Sequence, residues 1–189
     1  ALILDVRKAD EFVSAHIPNS IFIGIDGQFA PWVGTIVEDI NQKIIIVAPE
    51  GREEETVLRL SRVGYDNCIG FLKGGIKAWK DAGELTESIQ SITAEEFSKL
   101  KSQDLKVVDV RKPGEFENGH LKTVSNQPLD FISKWSLNFE APSPTYIHCA
   151  GGYRSVIAAS ILRKKGIKNL IDITGGFSAL QKTNLEIVK

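Results

Sequence analysis

Tyr146-Ile147-His148-Cys149-Ala150-Gly151-Gly152-Tyr153-Arg154-Ser155 carries a short apolar run into a thiol and then into a glycine-containing loop. The residues that follow, Val156-Ile157-Ala158-Ala159-Ser160-Ile161-Leu162-Arg163, have the spacing of a helix with an apolar face. The stretch therefore predicts a strand, a loop opening on Cys149, and a helix over 154–165. Backbone N–H groups in such a loop can point inward, and the helix adds the positive end of its dipole. Both favour a thiolate and predict a lowered thiol pKa. The same cradle would hold an anion or a terminal anionic sulfur, and Arg154 adds a fixed positive charge. This is a pattern suited to nucleophilic sulfur chemistry. A lone cysteine is more often a small buried hydrophobe. Cys68, in Asn67-Cys68-Ile69-Gly70-Phe71, reads that way.

Working outward from the loop, the chain repeats itself. Asp5-Val6-Arg7 matches Asp109-Val110-Arg111, Glu11-Phe12 matches Glu115-Phe116, and His16 matches His120, each pair 104 residues apart. Arg52 with Arg154 and Gly64 with Gly166 are 102 apart, and Gly74-Gly75 with Gly175-Gly176 are 101 apart. Small changes in loop length within one duplicated domain produce such a drift. The expected domains are 1–85 and 91–189, joined by a polar linker over 82–91. Carried back by 102, Cys149 falls on Val47, and a slip of one gives Ala48. Neither is a nucleophile. The first loop also holds Pro49, which lacks an N–H, and Glu50, Glu53, Glu54 and Glu55, which would repel an anion. The first domain therefore reads as non-catalytic. Asp109, Arg111, Glu115 and His120 look catalytic in composition. The first copy keeps all four beside an emptied loop, so they read as support for the loop, through charge-assisted hydrogen bonds. His148 precedes Cys149 on the strand and should point to the opposite face, as a core histidine.

Apolar strands alternate with helical patterns in both halves, which implies mainly parallel sheets with helices on both faces, an α/β architecture. Such folds place their sites at the carboxyl ends of strands. In the second copy a capping box, Thr93-Ala94-Glu95-Glu96, marks a helix expected over 92–101. The first copy has no equivalent before Leu2, so a truncated N-terminal helix and a polypeptide continuing upstream are expected. Of the 189 residues 42% are hydrophobic, enough for two cores, and the net charge of −1 argues against nucleic acid or an anionic membrane as partner. No apolar run approaches the ~18 residues of a membrane span. Two cysteines, one needing to stay reduced, point to the cytoplasm. His16, His120 and His148 are scattered without ligand spacing, so no metal is expected.

The residues around Cys149 resemble two cysteine families. Protein tyrosine phosphatases place five residues between cysteine and arginine, whereas four lie between Cys149 and Arg154. Four is the spacing of the rhodaneses, the sulfurtransferase superfamily, and a shorter loop suits a single terminal sulfur. Asp109 through His120 resembles the rhodanese motif D-V-R-x-P-x-E-F-x-x-G-H, and Gly175-Gly176-Phe177 resembles its closing strand-to-helix turn. The chain is thus similar to two rhodanese-like domains in tandem. The resemblance implies that Cys149 takes sulfur from thiosulfate or a low-molecular-weight persulfide, and passes it to a thiol or cyanide. Ala150, Gly151, Gly152, Tyr153, Arg154 and Ser155 would form the substrate-binding loop. A protein-bound persulfide would be the only intermediate, with no cofactor. Gly24-Ile25-Asp26-Gly27-Gln28-Phe29-Ala30-Pro31-Trp32-Val33-Gly34 adds a similarity to the C-terminal half of metallo-β-lactamase–rhodanese fusion proteins. That implies an upstream metal-dependent persulfide dioxygenase domain in the same polypeptide. Two rivals stand beside this reading: a phosphatase or arsenate reductase of the same superfamily, and a non-enzymatic module that docks partners or relays persulfide.

Overall fold

Four-residue runs such as Leu2-Ile3-Leu4-Asp5 and Ile44-Ile45-Ile46-Val47 are too short for helices and apolar on both faces, the signature of strands buried in a covered parallel sheet. The computed structural model describes residues 1–100 and 105–189, and the chain divides into two units, Ala1–Ser88 and Ile89–Lys189. In the first unit β1 (Leu2–Asp5), α1 (Ala9–Ser14), β2 (Ile21–Phe22), α2 (Phe29–Ile36), β3 (Ile44–Val47), α3 (Glu53–Ser61), β4 (Cys68–Phe71) and α4 (Gly75–Asp81) follow in order. Their sheet runs β2-β1-β3-β4 with every pair parallel.

The second unit begins with β5 (Gln90–Thr93) and α5 (Ala94–Ser98), then β6 (Lys106–Asp109), α6 (Pro113–Glu117), β7 (His120–Leu121) and β8 (Ser125–Asn126). A 3-10 turn at Leu129–Phe131 leads into α7 (Ile132–Trp135), followed by β9 (Thr145–His148), α8 (Tyr153–Lys164), β10 (Leu170–Thr174), α9 (Gly176–Leu180) and β11 (Ile187–Val188). The sheet order is β5-β10-β9-β6-β8, all parallel, and β11 pairs antiparallel with β7. Strand alternation sends Tyr146, Val107 and Ile173 to one face, where they pack with Ala94 and Phe97 of α5 and Leu180 of α9. Val108, Ile147 and Asp172, in register with one another, point to the opposite face, toward α8. The α/β architecture with mainly parallel, doubly covered sheets is as expected.

Two boundaries differ from expectation. Ile92 and Thr93 are not helical. They end β5, where Ile173 and Thr174 of β10 pair with them, and Ile92 packs against the core. The helix starts at Ala94, with Thr93 as its cap: Thr93 Oγ accepts from the Glu96 amide at 3.1 Å, and the Glu96 carboxylate accepts from the Thr93 amide at 2.9 Å. The end of that expected helix, at Lys101, lies outside the described residues. The polar stretch 82–91 is not wholly linker either. Glu87 forms a two-hydrogen-bond bridge with His16 in the first unit, and Gln90 and Ser91 belong to β5.

Candidate functional site

Cys149 sits where β9 gives way to α8, at the carboxyl end of a central strand. Its residue is 1% exposed, at the base of a loop whose outermost point, Gly151, is open to solvent. Gly152 has φ +102°, a left-handed conformation that turns the chain into the helix. This turn aims the Gly152 amide at Cys149, and it donates to Sγ at 3.1 Å. Tyr153, Arg154 and Ser155 form the first turn of α8, where amides have no acceptor within the helix. The loop residues expected from sequence, Ala150 through Ser155, run from Cys149 into the first turn of α8, with the Gly152 amide on Sγ.

A second element presses on the same loop. The Phe177 amide donates to the Cys149 carbonyl at 2.7 Å and the Ser178 amide to the Ala150 carbonyl at 2.9 Å. The approach is close because Gly176 has no side chain. A Cβ there would lie 2.9 Å from both the carbonyl carbon and oxygen of Ala150, and closer still to the Cys149 carbonyl oxygen.

Below the loop, Asp109 and Arg111 form a buried pair. The Arg111 Nη2 donates to Asp109 Oδ2 at 2.6 Å and to the Gly119 carbonyl at 2.8 Å, and its guanidinium lies 3.9 Å from the Phe177 ring centre. Asp5, Arg7 and the Ala15 carbonyl repeat the arrangement in the first unit at 2.6 and 2.8 Å. There, burial is the main influence on the Asp5 carboxyl and pushes its pKa up against the pull of Arg7. His120 stacks on Phe116 at 3.7 Å with Nδ1 on the Phe116 carbonyl, and His16 on Phe12 does the same at 4.1 Å. Asp109, Arg111 and His120, like Asp5, Arg7 and His16 in the first copy, brace the turns around α6 and α1 through these contacts. His148 is fully buried, with Nδ1 at 3.2 Å from the Cys149 carbonyl and Nε2 at 3.9 Å from Asp109. Burial pushes its pKa down, against the opposing influence of Asp109, which keeps the imidazole neutral.

Glu115 stands apart from that set. Its carboxylate takes both ω-nitrogens of Arg154, Nη1 to Oε2 at 2.6 Å and Nη2 to Oε1 at 2.8 Å, while also capping α6 through the Lys112 amide at 3.2 Å. The fixed positive charge expected at Arg154 is thus paired with Glu115. The bonds from Arg154 hold the Glu115 carboxyl well below the usual carboxylate range, against a smaller opposing effect of burial.

Asp172 is a site neighbour that the sequence alone does not single out. On β10 it is buried beneath α8, and its carboxyl is pushed up to about 6 by burial, with the nearby Ser155 hydroxyl pulling the other way. Ser155 Oγ and Asp172 Oδ1 have no partner in good hydrogen-bond geometry among the described residues. The available signal was a carboxylate inside the apolar strand Leu170-Ile171-Asp172-Ile173-Thr174, where the repeat has Phe71.

Strand register decides what replaced the thiol. Asp5 pairs with Val47 as Asp109 pairs with His148, so Val47 takes the place of His148 and Ala48 that of Cys149. Further on, Tyr65 and Ile167 close their helices with equivalent bonds to Leu60 and Leu162, which keeps Arg52 in step with Arg154. Three residues, Pro49, Glu50 and Gly51, thus stand where the second loop has four. Arg52 is bound to Asp26 at 2.6 Å and to Glu55 at 2.8 Å, and not to Glu11. Cys68 contacts the Gly70 carbonyl, and burial pushes its thiol pKa up. No cluster of three or more His, Cys, Asp or Glu with metal-binding geometry occurs among the described residues. No helix among them is long and apolar enough to cross a membrane.

The family model for rhodanese-like domains matches residues 1–82 and again 93–183. Uncharacterized protein YqhL of Bacillus subtilis (strain 168) is 34% identical over 89 residues, 47% of this chain and 70% of that protein. Thiosulfate sulfurtransferase GlpE of Pseudomonas entomophila (strain L48) is 28% identical over 92 residues, 49% of this chain and 84% of that protein. Other curated relatives are spanned for 55% and 59% of their length. Among solved structures, a rhodanese-like domain protein from Staphylococcus aureus is 32% identical, covers 53% of this chain and 100% of its own, and superposes with a TM-score of 0.48.

Proposed function

Because the chain belongs to the rhodanese-like domain family, we propose that its second unit is a sulfurtransferase that carries sulfur on Cys149. The observation that carries this reading is the Gly152 amide donating to Cys149 Sγ at 3.1 Å, within a loop that opens α8. A backbone N–H directed at sulfur favours negative charge there, and the first turn of a helix adds further donors. The Cys149 thiolate attacks the outer sulfur of thiosulfate, the S–S bond breaks, and sulfite leaves with the electron pair. With a persulfide R–S–SH the inner sulfur leaves as the thiolate and the proton stays on the transferred sulfur. In either case Cys149 becomes a persulfide, and a thiol or cyanide then removes the outer sulfur. This is two-step covalent catalysis, with ping-pong kinetics.

The near-complete burial of Cys149 supports donors that present a slim terminal sulfur. A phosphatase reading is less well supported, since the four-residue loop is short and Glu115 occupies the Arg154 fork that an oxyanion would need. The first unit, with Ala48 in place of the thiol, is proposed to do no sulfur chemistry. A metal-dependent persulfide dioxygenase in the same polypeptide remains a proposal from resemblance. The segment that suggested it, Gly24 to Gly34, leads into α2, which buries Phe29, Trp32 and Val33 and so has a packing role of its own.

The test is the intact mass of the full chain after incubation with thiosulfate or glutathione persulfide. One added sulfur, located on Cys149 and lost on a cyanide chase, is the expected result. Absence of any cyanide-labile adduct with both donors would overturn the reading.

A further inference from the structure

We infer that Glu115 determines which sulfur donor the second unit accepts, by competing with an anionic donor for Arg154. The inference rests on the reading of Cys149 as the sulfur acceptor. The geometry is a closed fork: both ω-nitrogens of Arg154 donate to the two oxygens of one carboxylate, at 2.6 and 2.8 Å. Bidentate, charge-assisted pairing is the strong form of this interaction. Arg154 is 16% exposed and Glu115 38%, so the pair is partly shielded from water and its attraction is not fully screened. Arg154 lies in the first turn of α8, the helix that the Cys149 loop opens, and the Gly152 amide two residues before it donates to Cys149 Sγ, which sets the fork beside the reacting atom's loop.

The repeat shows that the fold does not require this pairing. Glu11, in the place of Glu115, caps its own helix through the Lys8 amide, while Arg52 turns to Asp26 and Glu55. Glu115 does both jobs at once, and only the cap is common to the two units.

The consequence for donors follows from where their charge lies. Thiosulfate is a dianion whose sulfonate end needs a cation beside the thiol. It meets a neutral ion pair, and must displace the Glu115 carboxylate to obtain the guanidinium. A low-molecular-weight persulfide donates as R–S–SH: its reacting end carries no sulfonate, only the terminal sulfur that the Cys149 loop itself receives, and so has no need of Arg154. Glu115 therefore selects persulfides against thiosulfate. In both reactions Cys149 forms one S–S bond as the donor loses one, with sulfite or a thiolate leaving, so no outside oxidant is needed.

Glu115→Gln separates the two roles, because Gln can still serve in a capping box while losing the charge that holds Arg154. In the full chain, KM for thiosulfate should fall about tenfold in Glu115→Gln, the order of one charge-assisted pairing released, while KM for glutathione persulfide stays within twofold. Equal shifts for both donors, or a higher KM for thiosulfate, would overturn the inference. A second measurement is free of turnover: calorimetric binding of thiosulfate to full-length Cys149→Ser and to Cys149→Ser/Glu115→Gln. Tighter binding by the double variant supports competition, and equal or weaker binding overturns it. If neither donor loads Cys149 in the parent, the sulfurtransferase reading fails, and the binding comparison still decides whether Glu115 competes for Arg154.

Discussion

Gly176 and Cys149 belong to different elements, yet the backbone of one lies against the backbone of the other. A Cβ on Gly176 would overlap the Cys149 carbonyl oxygen and lie 2.9 Å from the Ala150 carbonyl group. Backbone on both sides leaves no flexible side chain to yield. In the first unit, Gly75 occupies the same turn at φ +59°, and a Cβ there meets nothing within 4 Å.

Gly176→Ala is therefore expected to displace the loop and cut sulfur transfer by at least ~100-fold, the scale of a catalytic group misplaced by an ångström. Gly75→Ala should cost only the left-handed backbone term, about 1–2 kcal/mol, with sulfur transfer unchanged. Steady-state thiosulfate:cyanide assays and thermal unfolding of the two variants make the comparison. Equal losses of activity would show that the contact at Gly176 is not what matters.

Cys149→Ser should abolish both turnover and the cyanide-labile sulfur adduct while leaving the unfolding profile intact. A hydroxyl is a far weaker nucleophile than a thiolate and cannot hold a persulfide. Cys68 should not substitute for it, since burial pushes that thiol pKa up. Sulfur found on Cys68 in the variant, under conditions that load Cys149 in the parent, would contradict the assignment of the chemistry to the second unit.

Arg111→Ala leaves the fully buried Asp109 carboxylate without its partner and the Gly119 carbonyl without its donor. Breaking such a buried pair costs about 3–5 kcal/mol. Arg7→Ala should destabilise the first unit by a similar amount, because Asp5 and the Ala15 carbonyl are left in the same way. Arg7→Ala is expected to spare Cys149 loading and Arg111→Ala to impair it, as read by unfolding midpoint and mass.

Asp172 predicts a pH dependence of definite sign. Its carboxyl has a usual value of 3.8 and is pushed up to about 6 in the folded chain. Between those values the folded state keeps a proton that the unfolded state has lost. Its contribution to stability is therefore present below about pH 4, falls as pH rises to about 6, and stays lost above that. Asp172→Asn removes the penalty and should be more stable than the parent at pH 8, by about 2–3 kcal/mol at roughly 1.4 kcal/mol per pH unit. The difference should nearly vanish at pH 4. Denaturant midpoints of parent and variant at the two pH values test this. A difference independent of pH would mean that the Asp172 carboxyl is not protonated on folding.

The candidate thiol, the duplication and the loss of that thiol from the first loop could all be read from the chain itself, because each rests on local order. Strand–loop–helix patterning around Cys149 depends on residues within a few positions of one another, and the repeated Asp-Val-Arg and Gly-Gly landmarks are visible as spacing. What the tertiary structure decided are relations between segments far apart in sequence. Whether Val47 or Ala48 stands at the thiol position required the pairing of β1 with β3. That the Arg154 charge is paired with Glu115, 39 residues away, required the fold to bring α6 within reach of the first turn of α8. That Asp172 is a buried acid required β10 to lie beneath α8. The capping box directly after Ile92 favours a helix there, yet β10 supplies a strand partner and pairing prevails. Local propensity and spacing act along the chain. Charge pairing, burial and close backbone approach arise only when strands fix distant residues side by side.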